Sequence, residues 1–275
     1  LFKKVIIADK LALVVDVIYN DLHNFSGLHL IMATVLFAFQ IYCDFSGYSD
    51  IAIGSARIMG FDIMNNFNRP YHSKSVAEFW RRWHISLSTW FRDYLYIPLG
   101  GNRVRSSRHY LNLMLTFTIS GLWHGASWTF VIWGAIHGFY LVVSIITKNI
   151  REKIAEISGF SKLTKLRKVS QVIIVFLLVD FAWIFFRAKT LDDAMYVICH
   201  LFTGISSQIN DILHLKFKLG MRSENFIVMI SALIIMEIVH ILQSKTDIDK
   251  IFSEKPLYLR FAVYYLFIIS LIFFG

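Results

Sequence analysis

Between Leu28 and Tyr42, Val169 and Phe186, Phe226 and Leu242, and from Leu257 to the last residue, the chain is nearly unbroken apolar sequence. A helix needs about 20 such residues to cross the hydrocarbon of a bilayer. Composition agrees: 56% of the residues are hydrophobic, above the 45–50% or so of ordinary globular domains. The pattern predicts an all-α integral membrane protein, a multi-span helical bundle. Val5 to Tyr19 is short and interrupted by Asp9, Lys10 and Asp16, so it is expected partly in the interface. Tyr110 to Thr147 is too long for one span and too short for two comfortable ones. It predicts a tight hairpin or a broken, re-entrant pair, which membranes tolerate only where protein or a cavity covers the exposed backbone.

The net charge of +9 would suit nucleic acid, but the charges gather in short connectors between apolar runs. Arg69 to His109 holds eight Lys/Arg, and Lys148 to Lys168 holds seven. That distribution excludes nucleic acid as the partner and fits anionic lipid and the positive-inside rule, placing both connectors on the cytoplasmic side. The segment between them then enters and leaves on one side. Cys43 and Cys199 lie in apolar surroundings and are expected as free buried thiols. The start, LFKKVIIADK, has no leader character, and the chain is expected to be a fragment whose N-terminal part is missing.

Several ionisable residues fall inside apolar runs, where they are costly and usually kept for function. Asp44 and Asp50 sit among Ser46, Gly47, Ser49 and Gly54, so they are expected to meet partners on neighbouring helices; a cation-carrying role is the alternative. Glu237 and His240 are spaced as a local pair on one helix face. The run SGLWHGASWTFVIWGAIHG, Ser120 to Gly138, carries His124 and His137 among aromatic and small residues. Histidine titrates near neutral pH, so the run points to acid–base chemistry inside a bilayer. Histidines hydrogen-bonding between packed helices are the alternative.

A second stretch, SKSVAEFWRRWHISLSTWFRDYLYIPLGGNR, spans Ser73 to Arg103. Ser75 with Glu78 predicts a capping box. Val76, Phe79, Trp80, Trp83, Leu87, Trp90, Phe91 and Tyr94 follow at helical spacing, until Pro98, Gly100 and Gly101 break the pattern. A basic helix with a tryptophan-rich face is expected to lie at the membrane interface. His84 sits at the edge of that face. Arg81, Arg82 and Arg92 are expected on lipid phosphate or on a phosphorylated or thioester-bearing donor.

Together these two stretches resemble the membrane-bound O-acyltransferases, in particular the bacterial branch of alginate-type O-acetylation and D-alanyl-lipoteichoic acid transfer proteins. LFKKVIIAD and YCDFSGYSDIAIG, Tyr42 to Gly54, are similar to the alginate-type subgroup. The resemblance implies the family fold, with re-entrant or broken helices and interfacial amphipathic helices. It implies one membrane-embedded domain over 1–275, a catalytic core of about 40–147 and C-terminal spans over 169–275. His124 matches the family's catalytic histidine in its WHG motif. His84 matches a second functional position, held by asparagine or histidine across the wider family. His137, Trp123, Asp93, Arg81 and Arg82 are expected to support them.

The implied reaction moves an acyl group, acetyl by subgroup, from a donor at the cytoplasmic face to a hydroxyl of an exported polysaccharide or of a periplasmic or extracellular partner transferase. The donor would be acetyl-coenzyme A or an acyl-carrier thioester, a substrate and not a bound cofactor. The membrane would be the bacterial inner membrane, crossed several times. Ser120 and Ser127 lack the turn that exposes a hydrolase nucleophile, and none of the spacings of His72, His84, His124 and His137 is a zinc pair, so no metal is expected. A secondary transporter or a non-catalytic scaffold of an export complex remains the other reading. An acyltransferase is expected to bring His84 and His124 to a common cavity.

Overall fold

The computed structural model describes residues 1–213, 223–246 and 248–274. Its regular elements are all helical, with no strand among the described residues. By its internal contacts the chain divides into two compact units, Leu1–Ile63 with Phe202–Gly275, and Met64–Leu201. Among the described residues four helices are long and apolar enough to cross a membrane: Leu28–Ile58, Trp128–Ile146, Thr164–Arg187 and Asn225–Gln243.

In the first unit a π-helical segment, Phe2–Ala8, leads into α1 (Asp9–Asn20) and then α2 (Leu28–Ile58). Leu11, Val14, Val15 and Ile18 are fully buried, at the spacing that puts them on one face of α1. The apolar run from Leu28 and the polar run after Cys43 form one helix of 31 residues, about 46 Å long and well beyond the thickness of a hydrocarbon core. Asp44 and Asp50 meet cations as expected: Lys4 Nζ lies 2.5 Å from Asp44 Oδ1, and Lys3 Nζ lies 2.8 Å from Asp50 Oδ2. Gly47 lets the lysine-bearing backbone come this close. A Cβ there would stand 3.0 Å from the Lys4 nitrogen.

The second unit contains α3 (Val76–Arg82), α4 (Ile85–Phe91), α5 (Ser106–His124), α6 (Trp128–Ile146), α7 (Lys148–Ile157), α8 (Thr164–Arg187) and α9 (Leu191–His200). Helices α5 and α6 form the hairpin that the length of the Tyr110–Thr147 run predicts. Gly125 ends α5, and Ser127 begins α6 by accepting a hydrogen bond from the Thr129 amide at 3.3 Å. Gly121 and Gly134 face each other across it. A Cβ on either would run into the backbone carbonyl of Phe130 or Phe117. Helices in lipid gain little from apolar burial and associate by close packing, so this backbone contact is what holds the hairpin shut.

The remaining elements of the first unit are α10 (Ile205–Leu213), α11 (Ser223–Gln243), α12 (Ile248–Ser253) and α13 (Leu257–Phe274). Glu237 and His240 of α11 pair locally as expected, at 3.4 Å, and His240 Nε2 also meets the Tyr42 hydroxyl at 3.2 Å. Both cysteines are free thiols, but only Cys43 is buried. Cys199 is exposed because α9 turns Ala194 and Val197 inward and leaves position 199 on its outer face.

Candidate functional site

The aromatic repeat after Ser75 does not form one continuous helix. Ser75 caps α3 as expected, accepting from the Glu78 amide at 3.1 Å, but the Glu78 carboxylate reaches the Lys74 amide instead of the Ser75 amide. The helix then stops after Arg82, and α4 starts at Ile85. His84 stands in the break with φ 43° and ψ 55°. This is the left-handed region, in which non-glycine residues are uncommon and histidine and asparagine are several-fold enriched. The sequence period hides the break because Phe79, Trp83 and Leu87 keep helical spacing straight across it. Beyond Phe91 a π-helical turn, Arg92–Tyr96, continues the segment.

What stops the helix is aromatic packing and a set of hydrogen bonds from outside it. Trp83 is buried against Phe79, Phe67 and Trp183, with ring centroids 5.5, 5.1 and 5.1 Å away. The chain just before α3 binds both cut ends. Asn68 donates to the Arg82 carbonyl at 2.9 Å, and the Asn66 carbonyl accepts from the Ile85 amide at 3.0 Å. Asn66 also caps the new helix with its side chain. Nothing in the sequence pattern singles Asn66 out, since its partners lie about twenty residues away.

His124 is the last residue of α5. Its ring is boxed by Trp123, Trp133 and Phe186 at 5.0, 5.2 and 5.3 Å, with Phe130 beyond at 6.4 Å. The ring makes no hydrogen bond to any of the described residues. Burial, and secondarily the His124 imidazole, push the His84 imidazole down to about 4, which keeps it neutral across the physiological range. Position matters for His124 too. A helix C-terminus carries partial negative charge, which favours a cation formed there.

His137 is fully buried one element away and behaves differently. Its Nδ1 accepts a hydrogen bond from Trp80 Nε1 at 3.2 Å, which puts the ring proton on Nε2. That Nε2, Trp133 Nε1 and Asp180 Oδ1 are buried without a hydrogen-bond partner among the described residues. Trp133 stands between the two histidines, 5.2 Å from each ring. The histidines of the WHG and HG motifs are thereby linked through one indole, which sequence alone gave no reason to choose.

A cavity of about 560 Å³ opens between α3, α4, α5 and α6, a size suited to a small-molecule site. Trp80, Leu113, Phe117 and Leu141 give it apolar walls, and Arg81, Arg92 and His109 add basic groups. Neither His84 nor His124 lines it, contrary to the expectation of a common cavity. Ser88 and Ser120, each one helical turn from one of those histidines, do. The aromatic box around His124 accounts for the difference, since it fills the space beside that ring.

The other expected residues divide. Arg81 reaches the cavity. Arg82 is held by Glu78 at 2.6 Å, and Asp93 forms a two-point pair with the neighbouring Arg92 at the exposed surface. Trp123 is 58% exposed and touches His124 by its ring. Ser127 is used as a helix cap, sharing a 2.9 Å bond with the Thr129 hydroxyl, so it does not stand free as a nucleophile.

Comparison with known proteins agrees with these motifs. The chain is 47% identical over 201 residues to the probable alginate O-acetylase AlgI of Azotobacter vinelandii, covering 73% of this chain and 38% of that protein. It is 41% identical over 221 residues to the peptidoglycan O-acetyltransferase of Helicobacter pylori, covering 76% of this chain and 40% of that one. A teichoic acid D-alanyltransferase of Bacillus subtilis is 36% identical over 110 residues, covering 37% of this chain and 27% of that one. The chain thus spans about two fifths of the length of the first two relatives. The model of the MBOAT, membrane-bound O-acyltransferase family, matches residues 6–185. A match over well more than half the chain, taking in the WHG hairpin and the broken helix before it, makes this protein a member of the membrane-bound O-acyltransferase family.

Proposed function

We propose that this chain carries the catalytic part of a bacterial inner-membrane enzyme that transfers an acyl group, acetyl by its relatives, onto a hydroxyl of an exported polysaccharide or of a partner transferase. The observation that carries the reading is a neutral His84 held in the left-handed region at the break between α3 and α4, in the same unit as His124 boxed by aromatic rings at the end of α5. The acyl donor is a thioester, on coenzyme A or a carrier protein, approaching through the basic and apolar cavity between α3 and α6.

In this reading His124 accepts the proton of the acceptor hydroxyl as its oxygen attacks the acyl carbonyl. The new C–O bond forms, the C–S bond breaks, and the imidazolium returns the proton to the departing thiolate. The C-terminal end of α5 favours the transient imidazolium. His84 orients the acceptor or donates to the carbonyl oxygen as negative charge develops there. General-base assistance of this kind is worth about a hundred- to ten-thousand-fold in rate.

The test uses the whole protein, with the remaining part of its length restored, in cells lacking the native enzyme. O-acetyl ester on purified exported polysaccharide is measured for wild type and His124→Ala at matched membrane levels. The expected result is a loss of at least about a hundredfold. Ester retained by the alanine variant would overturn the assignment and favour the transporter or scaffold reading.

A further inference from the structure

A histidine in the left-handed region is strained, and it persists only where its surroundings dictate it. Around His84 the dictating element is the irregular segment Asn66–Phe67–Asn68. The Asn66 side-chain oxygen accepts two bonds, from the Ser86 amide at 3.1 Å and from the Ser86 hydroxyl at 2.6 Å. Its backbone carbonyl takes the Ile85 amide, and two residues on, the Asn68 amide closes the end of α3 on the Arg82 carbonyl. Between them Phe67 packs edge-on against Trp83. Three consecutive residues thus grip the chain on both sides of one histidine.

We propose that Asn66 is a positioning residue for the transfer reaction, its carboxamide oxygen fixing the backbone break that aims His84 at the reacting centre. The inference rests on the reading of His84 as part of the site. A catalytic group displaced by about 1 Å loses on the order of a hundredfold in rate, so a clamp on the residues that follow it is felt in turnover. Only the acceptor side of the Asn66 amide is used in the bonds to Ser86. A carboxylate accepts the same two bonds, and an alanine accepts neither.

That asymmetry makes the test specific. Asn66→Asp preserves the clamp and adds a negative charge near His84. Asn66→Ala removes the clamp and adds no charge. Each variant, with Ser86→Ala and His84→Ala, is made in the whole protein and scored for O-acetyl ester per molecule on exported polysaccharide. The His84 ring is titrated in the purified, detergent-solubilised protein by carbon-13 histidine NMR, with a His84→Gln sample to assign its signal.

We expect Asn66→Ala to lower ester by about tenfold or more at matched membrane level, and Ser86→Ala to fall between it and wild type. Asn66→Asp should keep ester within about twofold while raising the His84 midpoint by roughly one unit, as a nearby carboxylate does. If Asn66→Ala keeps both ester and titration while His84→Ala is dead, Asn66 is a structural cap and the proposal falls while the functional reading stands. Ester retained by His84→Ala would remove the functional role of His84 and the proposal with it. Should Asn66→Ala fail to reach the membrane, an unmoved midpoint in Asn66→Asp overturns the proposal by itself.

Discussion

In the unit of Leu1–Ile63 with Phe202–Gly275, the acids and the histidine of α2 and α11 find partners: Asp44 and Asp50 meet lysines, and His240 lies between Glu237 and Tyr42, while Gln40 Oε1, Ser46 Oγ and Arg260 Nε are buried without a hydrogen-bond partner among the described residues. In the unit of Met64–Leu201, the hydrogen-bonding capacity of comparable groups is left over. His124 is surrounded by rings, and His137 uses one ring nitrogen of two. Asp180 Oδ1 and Trp133 Nε1 are buried without partners among the described residues. Each such group costs about 1–3 kcal/mol, and the left-handed His84 adds strain of similar size. The first unit's paired acids and histidine hold helices together. The second unit's histidines are kept at a cost in stability that chemistry on a bound substrate would explain.

Three substitutions strain that contrast, the largest first. Gly121→Ala drives a methyl group into the Phe130 carbonyl of the facing helix. Neither side of that contact is a flexible side chain, so the cost is expected at about 3 kcal/mol, read as a drop in thermal stability of the solubilised protein. An unchanged melting profile would mean that the hairpin is not held by backbone contact. His240→Ala leaves Glu237 and Tyr42 to find new partners and should cost about 2 kcal/mol. Ester formed per molecule should stay within about twofold. If His240→Ala abolishes ester at matched protein level, the division between structural and functional polar groups collapses.

The smallest effect is backbone strain at His84. A β-branched valine tolerates φ 43° poorly, whereas asparagine visits this region readily. His84→Val should therefore be about 1–2 kcal/mol less stable than His84→Asn. Equal stabilities would mean that the left-handed geometry relaxes and places no constraint on the residue type. The same geometry offers a physical reason for the resemblance noted from sequence, in which this position carries asparagine or histidine.

Much of this architecture was legible in the chain itself. Long apolar runs specify spans, and the length of Tyr110–Thr147 calls for a tight hairpin or a broken, re-entrant pair, of which the structure shows the hairpin. His84, His124 and His137 stand out because ionisable groups are rare in such surroundings. The break at Trp83–His84 was not legible, because Phe79, Trp83 and Leu87 continue the helical period across it and the causes lie outside the helix. Asn66 acts through partners distant in sequence, and the Trp80–His137 bond joins residues 57 apart. Periodicity reports which face of an element is apolar. It does not report what a distant side chain does to the end of that element.

The most direct test of the central claim, that His84 and His124 serve one reaction, is a double-mutant cycle in the whole protein. O-acetyl ester per molecule is measured for His84→Asn, His124→Gln and the pair together, at matched membrane levels. Groups that act as a unit are strongly non-additive, so the double variant should be no worse than the poorer single variant. Losses that multiply across the pair would show two independent contributions and contradict the account.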